Sequence, residues 1–412
     1  MTTSTPSDAN THQWGPLVQR LQLDAIFTQI ATEAPRRDVE RDHPHELIAA
    51  LKKAGLGRAR LSIEQGGLGL SLIELFDLVQ DLAYADSNVA HIFRNHLFAV
   101  EEALRLPQEP YYARLLDEAA QGRSFGLGFG LAPVKRAGQI PDGVTGELNW
   151  SEEDGVYHGT GIKLYSTGNL YADWLLGPAQ ENRNGKLVRY LASTQAPGVN
   201  LTDDWSGFGQ KLTGSGNTRF ADARIEAHNL YPPPVTPEHD GTWSYTFHQI
   251  YLTTVIAGIA RRVKADAVTL LKKRSRNFYH GQAEEPRNEA VLQAQLGQLA
   301  AHVAAIDALV KRAATALQAG FAAYGSPSAT ELMLDATLKA VEAKIVADSW
   351  GPQLAGNLLD LGSGSVVTID GALDRHWRNI KVIAAHNPSL YKTRFLGDYL
   401  LNQTLPPTGA FF

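Results

Sequence analysis

Leu292-Gln293-Ala294-Gln295-Leu296-Gly297-Gln298-Leu299-Ala300-Ala301-His302-Val303-Ala304-Ala305-Ile306, continued by Val310 and Leu317, sets its large apolar residues largely at steps of three and four. That spacing gathers them on one stripe of a long helix. A second helix of the same kind is expected from Ser328, where Glu331 three residues on makes a capping box, through Leu334, Leu338, Val341 and Ile345. Two such helices imply a bundle. Their stripes read as an intramolecular core, with oligomer seams as the alternative.

Upstream, the pattern changes twice. From Ser124 to the Pro232-Pro233-Pro234 connector, glycine is frequent and short runs alternate or turn apolar: Val156-Tyr157-His158-Gly159, Trp174-Leu175-Leu176, Leu187 to Leu191 and Asn217 to Ile225. These are strand signatures between turn signals. Before Ser124 the chain is helical again. Leu17, Leu21, Ile26 and Ile30 mark one helix ahead of the polar Glu33–His45 segment, and His45 to Ala54 a second. Ser71 can cap a third, to about Ala85, and a fourth should contain His91 to Leu104. The fold class is therefore mainly α with a central β domain, divided at 1–123, 124–235 and 236–412. A β domain held between helical ones leaves a cleft, and clefts at domain junctions are favoured ligand sites.

The composition narrows the chemistry. The 412 residues carry 38 basic and 43 acidic side chains, a formal charge of −5, and no long basic block, so nucleic acid is not expected as a partner. No apolar run approaches the ~18–20 residues of a membrane span. The polar Met1–Asn10 start lacks the features of a signal peptide, so a cytoplasmic location is expected. Cysteine is absent, which removes disulfides, thiolate metal sites, iron–sulfur clusters and thiol nucleophiles together. No Walker A pattern, Rossmann glycine motif or G-x-S-x-G elbow is present. His43 and His45 lack a third ligand nearby and read as a solvated helix start, and Glu152-Glu153-Asp154 as solvated charge in a turn. The chemistry must use oxygen, nitrogen or a borrowed cofactor.

Three segments, taken together, carry a resemblance. They are Ala90-His91-Ile92-Phe93-Arg94-Asn95-His96; Gly159-Thr160-Gly161-Ile162-Lys163-Leu164-Tyr165-Ser166-Thr167-Gly168, with Asp203-Asp204-Trp205 and Thr213 to Thr218 downstream; and Asp374-Arg375-His376-Trp377-Arg378-Asn379, followed by His386-Asn387-Pro388 and Tyr391-Lys392. In this order they resemble the acyl-CoA dehydrogenase fold, and more closely its oxygen-using branch, the two-component flavin-dependent monooxygenases such as dibenzothiophene monooxygenase and SfnC-type proteins. The resemblance implies an N-terminal helical domain, a β-barrel-like middle domain and a C-terminal four-helix bundle that assembles into a homotetramer. It also implies reduced FMN, rather than FAD, supplied by a separate flavin reductase. With O2 the reduced flavin would form a C4a-hydroperoxide that oxygenates a small organic substrate, at sulfur by resemblance, with nitrogen or carbon as alternatives. An FAD-holding acyl-CoA dehydrogenase is the rival reading.

The rival needs a glutamate near the C-terminal end to remove a proton from an acyl thioester. This chain has Ala384-Ala385-His386-Asn387-Pro388 there. An imidazole, with an ordinary pKa of ~6.5, can exchange protons at neutral pH, which makes His386 the first catalytic candidate. By resemblance His91 is a second active-site histidine. Asn95, one helical turn on, should share its pocket where dibenzothiophene monooxygenase has a tyrosine, and His96, one step further round the helix, reads as packing or a second shell, with a substrate contact as the alternative. By resemblance Ser166 lies on a strand facing the flavin, with a hydroxyl satisfied by backbone as the alternative, and Lys163 shapes the same segment. Arg276 and Phe278, placed in the first long bundle helix, resemble the pair that meets the flavin phosphate, often across a subunit contact. The Phe125–Ala132 run replaces a polar family segment with glycine and apolar residues, leaving the Gly128 backbone for the flavin and Phe129 for the substrate. A greasier pocket and an apolar or small substrate follow.

Overall fold

The computed structural model describes residues 14–129, 144–409 and 412. The Met1–Asn10 start and Gly130, Leu131 and Ala132 of the glycine-rich run lie outside them. Among the described residues the chain opens with helices α1 (Pro16–Arg20), α2 (Asp24–Glu40), α3 (His45–Lys53), α4 (Leu72–Ala85), α5 (Ser87–Ile92), α6 (Arg94–Arg105) and α7 (Pro110–Ala120). Strands follow: β1 (Phe125–Leu127), β2 (Gly146–Ser151), β3 (Val156–Lys163), β4 (Trp174–Glu181), β5 (Leu187–Ser193), β6 (Val199–Leu201), β7 (Thr218–Glu226) and β8 (Leu230–Tyr231). The chain then returns to helices α8 (Thr246–Lys273), α9 (Ala290–Ala322), α10 (Ala329–Gly362), α11 (Arg375–Ala385) and α12 (Ser389–Asn402).

The strands form one mixed sheet in the order β6-β7-β3-β2-β4-β5-β8, with β1 added parallel to β4. β7 shows the alternation of a half-covered strand. Thr218, Phe220, Ala223 and Ile225 point inward while Arg219, Asp222 and Arg224 face water. Between the pairs Gly159↔Ala223 and Gly161↔Phe220 the ladder slips, leaving Ala221 and Asp222 opposite Thr160 as a β-bulge, with Asp222 at a φ of 58°.

A single apolar core joins the early helices to the bundle, running from Phe27, Leu75 and Val79 to Ile256, Val303 and Leu354. The α9 stripe enters it as expected: Leu299, Val303, Ile306, Val310 and Leu317 are all buried. On α10 the expectation fails in part. Leu334, Leu338 and Ile345 are only half-buried, while Ala336, Ala340, Ala347 and Leu354 carry the core face. Small side chains let three long helices approach closely, so the packing row is written in alanine rather than leucine. Gly258 is the sharpest case, where α8 crosses α4: an added Cβ would stand 2.5 Å from the Gln80 carbonyl oxygen and 2.6 Å from the Ala83 Cβ. Gly258→Val should therefore cost about 2–3 kcal/mol of unfolding free energy in urea titration. An unchanged midpoint would contradict this helix contact.

The local signals differ in outcome. Ser71 forms the capping box, its Oγ accepting from Glu74 N while Glu74 accepts from Ser71 N at 2.8 Å. Ser328 does not, because its backbone is already helical and its hydroxyl pairs with Ser326 at 3.0 Å. The first expected helix is two, broken at residues 21–23, and α2 runs on through the polar Glu33–Glu40 stretch despite Pro35. Those polar residues are helical because they are paired: Arg37, 1% exposed, meets Asp86 at 3.0 Å and Glu33 one turn back. No helix among the described residues is long and apolar enough to cross a membrane.

Candidate active site

The α5–α6 junction builds one wall of the site. The single helix expected across His91 is interrupted at Phe93, whose ψ of −7° ends α5 and lets Arg94 open α6. His91 and Arg94 are both buried there. Gln210 donates from Nε2 to Ser87 Oγ at 3.0 Å, so its amide oxygen faces His91 Nδ1, also at 3.0 Å. An amide oxygen can only accept, and this network assigns the proton to Nδ1. His91 Nε2 is then a lone pair, buried and without a partner among the described residues. Burial first, and the Arg94 charge second, hold the His91 pKa well below its ordinary value.

The opposite wall is the C-terminal end of α11. His386 stands exposed at its last turn, and Arg94 Nη1 donates to its Nε2 at 3.3 Å. Guanidinium has no acceptor, so Nε2 carries the lone pair and Nδ1–H donates to Asn387 Oδ1 at 3.1 Å. Asn387 is oriented in turn by donating to Gln249 Oε1 on α8 at 2.8 Å. The His386 pKa is lowered by desolvation in the cleft and then by Arg94. Both candidate histidines are thus neutral and protonated on Nδ1, with the lone pair on Nε2, which in His386 accepts from Arg94.

Three members of this cluster escaped sequence reasoning. His248 on α8 packs at a tilt against Phe98 with centroids 4.1 Å apart, and its pKa is depressed by burial and then by Arg94, His386 and His91. Arg94 and Gln249 are the others. Arg94 lies inside a segment already singled out, and a cation in the midst of an apolar helix pair was the signal available.

The remaining expected residues divide. Asn95 lies at the site, donating from Nδ2 to Thr167 O at 2.9 Å, with Oδ1 buried and unpartnered. Lys163, at the end of β3, donates to Leu164 O, and its pKa is lowered by burial and then by Arg94. Ser166 is in the loop after β3 rather than on a strand, and its hydroxyl donates to Lys163 O at 2.9 Å. His96 is used on both nitrogens: Nε2 donates to Gly57 O at 2.5 Å and Nδ1 accepts from Phe125 N. It braces α6 against β1 and has no nitrogen left for a substrate. Phe129 belongs to the sheet's core, 4.4 Å between centroids from Phe220. Gly128 N is bonded to Leu176 O, and a Cβ there would meet Tyr190 Oη, so this backbone is committed to the sheet. Arg276 and Phe278 lie beyond the end of α8 at Lys273, exposed on a loop where the Phe278 ring stacks on His280.

The Asp374–Asn379 motif proves to be scaffolding. His376 donates to Asp266 at 2.8 Å, Arg378 reaches Asp38 and Asp374, and Asn379 Oδ1 accepts from Gln210 N at 2.6 Å, which fixes the residue that orients His91. His43, expected to be solvated, instead bonds the Tyr171 hydroxyl at 2.6 Å and Asp203 at 3.0 Å, closing the early helices onto the β domain.

Three core histidines predict an acid limit to stability. His96 and His376 have pKa values pushed down to about 4 by burial, and His91 shifts the same way. The unfolded chain, with histidines near ~6.5, binds more protons across this window. Stability is therefore full above pH ~6.5 and lost as pH falls towards ~4, at up to ~1.4 kcal/mol per pH unit for each group. Urea unfolding at pH 7 and pH 5 should differ on the order of 4–6 kcal/mol. A flat profile would mean that these rings are not buried neutral.

Residues 24–123 match the N-terminal domain of acyl-CoA dehydrogenases, and residues 250–388 match the family's C-terminal domain. The chain belongs to the acyl-CoA dehydrogenase family. It is 25% identical over 389 residues to "Probable FMNH2-dependent monooxygenase SfnC" of Pseudomonas putida, covering 93% of this chain and 95% of that one. It is 24% identical to a dibenzothiophene monooxygenase of Mycolicibacterium goodii across 99% of both chains. Methanesulfinate monooxygenase MsuC of Pseudomonas fluorescens superposes with a TM-score of 0.82 at 25% identity, over 97% of this chain and 100% of that one.

Proposed function

We propose that this chain is the oxygenating component of a two-component flavin-dependent monooxygenase, taking reduced FMN from a separate reductase and using O2 to oxygenate a small organic substrate at sulfur. The observation that carries the reading is His386, neutral and facing Arg94 and His91, where a thioester dehydrogenase would need a carboxylate. The full-length likeness to SfnC and to dibenzothiophene monooxygenase supports it.

The site suits a flavin. Asn95 Oδ1, buried and unpartnered, is an acceptor for an N–H of the isoalloxazine edge. Reduced flavin, when bound, supplies the electrons that activate oxygen. The protein's part is to exclude water, to hold the ring, and to keep His91 and His386 as proton acceptors beside the substrate. Ser166 contributes through its lone pairs, since its proton is committed. Arg276 and Phe278 would meet the phosphate end only from a second copy, and α12 exposes Leu390, Leu400 and Leu401 as a surface such a copy could cover. A homotetramer, located in the cytoplasm with its reductase, fits this reading.

The test is to load the protein anaerobically with reduced FMN, mix it rapidly with oxygenated buffer, and follow flavin absorbance. A slowly decaying species distinct from reduced and oxidised flavin, with sulfoxide, sulfone or sulfonate products from organosulfur probes, is the expected result. Direct return to oxidised flavin and free peroxide with every probe would count against it.

A further inference from the structure

Among the described residues Arg37, Arg94 and Arg375 are the buried arginines, and two of them face a carboxylate: Arg37 meets Asp86 at 3.0 Å and Arg375 approaches Asp266 at 3.9 Å. Arg94, 7% exposed, has none. Its hydrogen-bond partner is the neutral His386, its Nε is buried and unpartnered, and the titratable groups around it are His91, His248, His386, Lys163 and the Tyr251 phenol. Tyr251 cannot supply the missing charge, because it donates its proton to Ala90 O and burial pushes its pKa up. Burying a cation without an anion is costly, and chains keep such a group where a ligand completes the pair. A second buried donor, Gln249 Nε2, is also unpartnered and belongs to the same network through Asn387 and His386.

We infer that Arg94 and Gln249 bind the oxyanion head of the substrate, so that this enzyme selects small organic sulfinates, whose sulfur keeps the lone pair that takes the oxygen, above neutral sulfides or fused-ring thiophenes, and releases the sulfonate as product. The guanidinium spends Nη1 on His386 and keeps its Nε edge, the side-on face of the fork that matches paired oxygens. Gln249 adds a neutral donor. The organic end of the substrate then lies beside His91 Nε2. That the anion is a substrate rests on the monooxygenase reading; that an anion binds at Arg94 does not.

The test separates the two. Thermal unfolding of the wild-type protein, with oxidised FMN present and absent, is followed with methanesulfonate, with acetate, and with dimethyl sulfone, a neutral molecule of nearly the same shape as the sulfonate. Methanesulfonate should raise the melting temperature by about 2 °C or more at saturating concentration and dimethyl sulfone should not. A sulfonate shift larger than the acetate shift supports the sulfur oxyanion, and an acetate shift as large as that of methanesulfonate overturns that preference. Arg94→Met should fold, since it removes an unpaired buried charge, and should lose the methanesulfonate shift. Arg94→Lys keeps the charge without the fork and should retain only part of it. With reduced FMN, Arg94→Met should raise KM for methanesulfinate about 100-fold, against little change for dimethyl sulfide. Equal shifts from methanesulfonate and dimethyl sulfone, or an Arg94→Met protein that still responds to the anion, would overturn the inference. So would loss of reduced-FMN binding in Arg94→Met at an unchanged ratio of the two KM values, which would assign the cation to the flavin. Anion binding that survives while no probe is oxygenated would instead refute the monooxygenase reading alone.

Discussion

Replacing His91 with phenylalanine should cut product formation by about 10²–10⁴-fold while reduced flavin is still consumed by oxygen, because the substitution keeps the ring's volume and removes the lone pair that takes a proton. Burial and Arg94 hold the pKa of this imidazole well below its ordinary value, and the Gln210 oxygen keeps its proton on Nδ1, so Nε2 is an acceptor at neutral pH. A consequence follows for the wild type. The acid limb that a histidine of ordinary pKa would impose near pH ~6.5 should be absent from kcat, and activity should persist until stability itself fails. The measurement is product per reduced flavin, with free peroxide counted alongside. If His91→Phe keeps wild-type product yield, Nε2 takes no part in the chemistry. If the wild type loses kcat with an apparent pKa near 6.5 while remaining folded, the neutral buried histidine is wrong.

The order of helices, strands and helices could be read from the sequence because each region keeps one hydrophobic period over many residues, as the α9 stripe and the alternating β7 show. Reading stopped where side chains changed the rule. α2 continues through charged residues because Arg37 finds Asp86, 49 positions away, and no local pattern announces such a partner. α10 hides its packing face in alanines, which a search for large apolar residues passes over.

At the site the balance is similar. His91 and His386 could be named because short motifs surround them, yet the groups that set their tautomers, Gln210 and Asn387 with Gln249, are joined only by tertiary contact. His96 packs as its place one step round the helix suggests. One residue along a helix turns a side chain by about 100°, and that turn carries it from the cleft to the carbonyl of Gly57. Arg94 stands within the quoted motif, but its meaning depends on the absence of a carboxylate among its neighbours, which only three dimensions reveal.

The long Asp374–Asn379 motif holds the site together through Asp38, and Asp38→Ala should lower unfolding free energy by about 3 kcal/mol. Asp38, 2% exposed, accepts both guanidinium nitrogens of Arg378, at 2.5 and 3.3 Å, and lies 3.5 Å from the Lys211 ammonium. It thereby ties α2 to α11 and to the loop ahead of β7. Arg378 also donates to Phe208 O at 3.0 Å, and the next residue, Asn379, holds Gln210 N. Removing one carboxylate leaves Arg378 with Asp374 alone, which places the cost at the lower end of the ~3–5 kcal/mol for breaking a buried pair. The effect should reach beyond stability. Arg378 lies on the helix that ends at His386, and its neighbour fixes the amide that orients His91, so Asp38→Ala should lower product yield per flavin without removing any group that touches substrate. Arg378→Lys, which keeps the charge but not the two-pronged geometry, should show the same uncoupling at a smaller stability loss. A fully coupled Asp38→Ala enzyme, assayed at a temperature where it is folded, would show that the clamp supports the fold and nothing more.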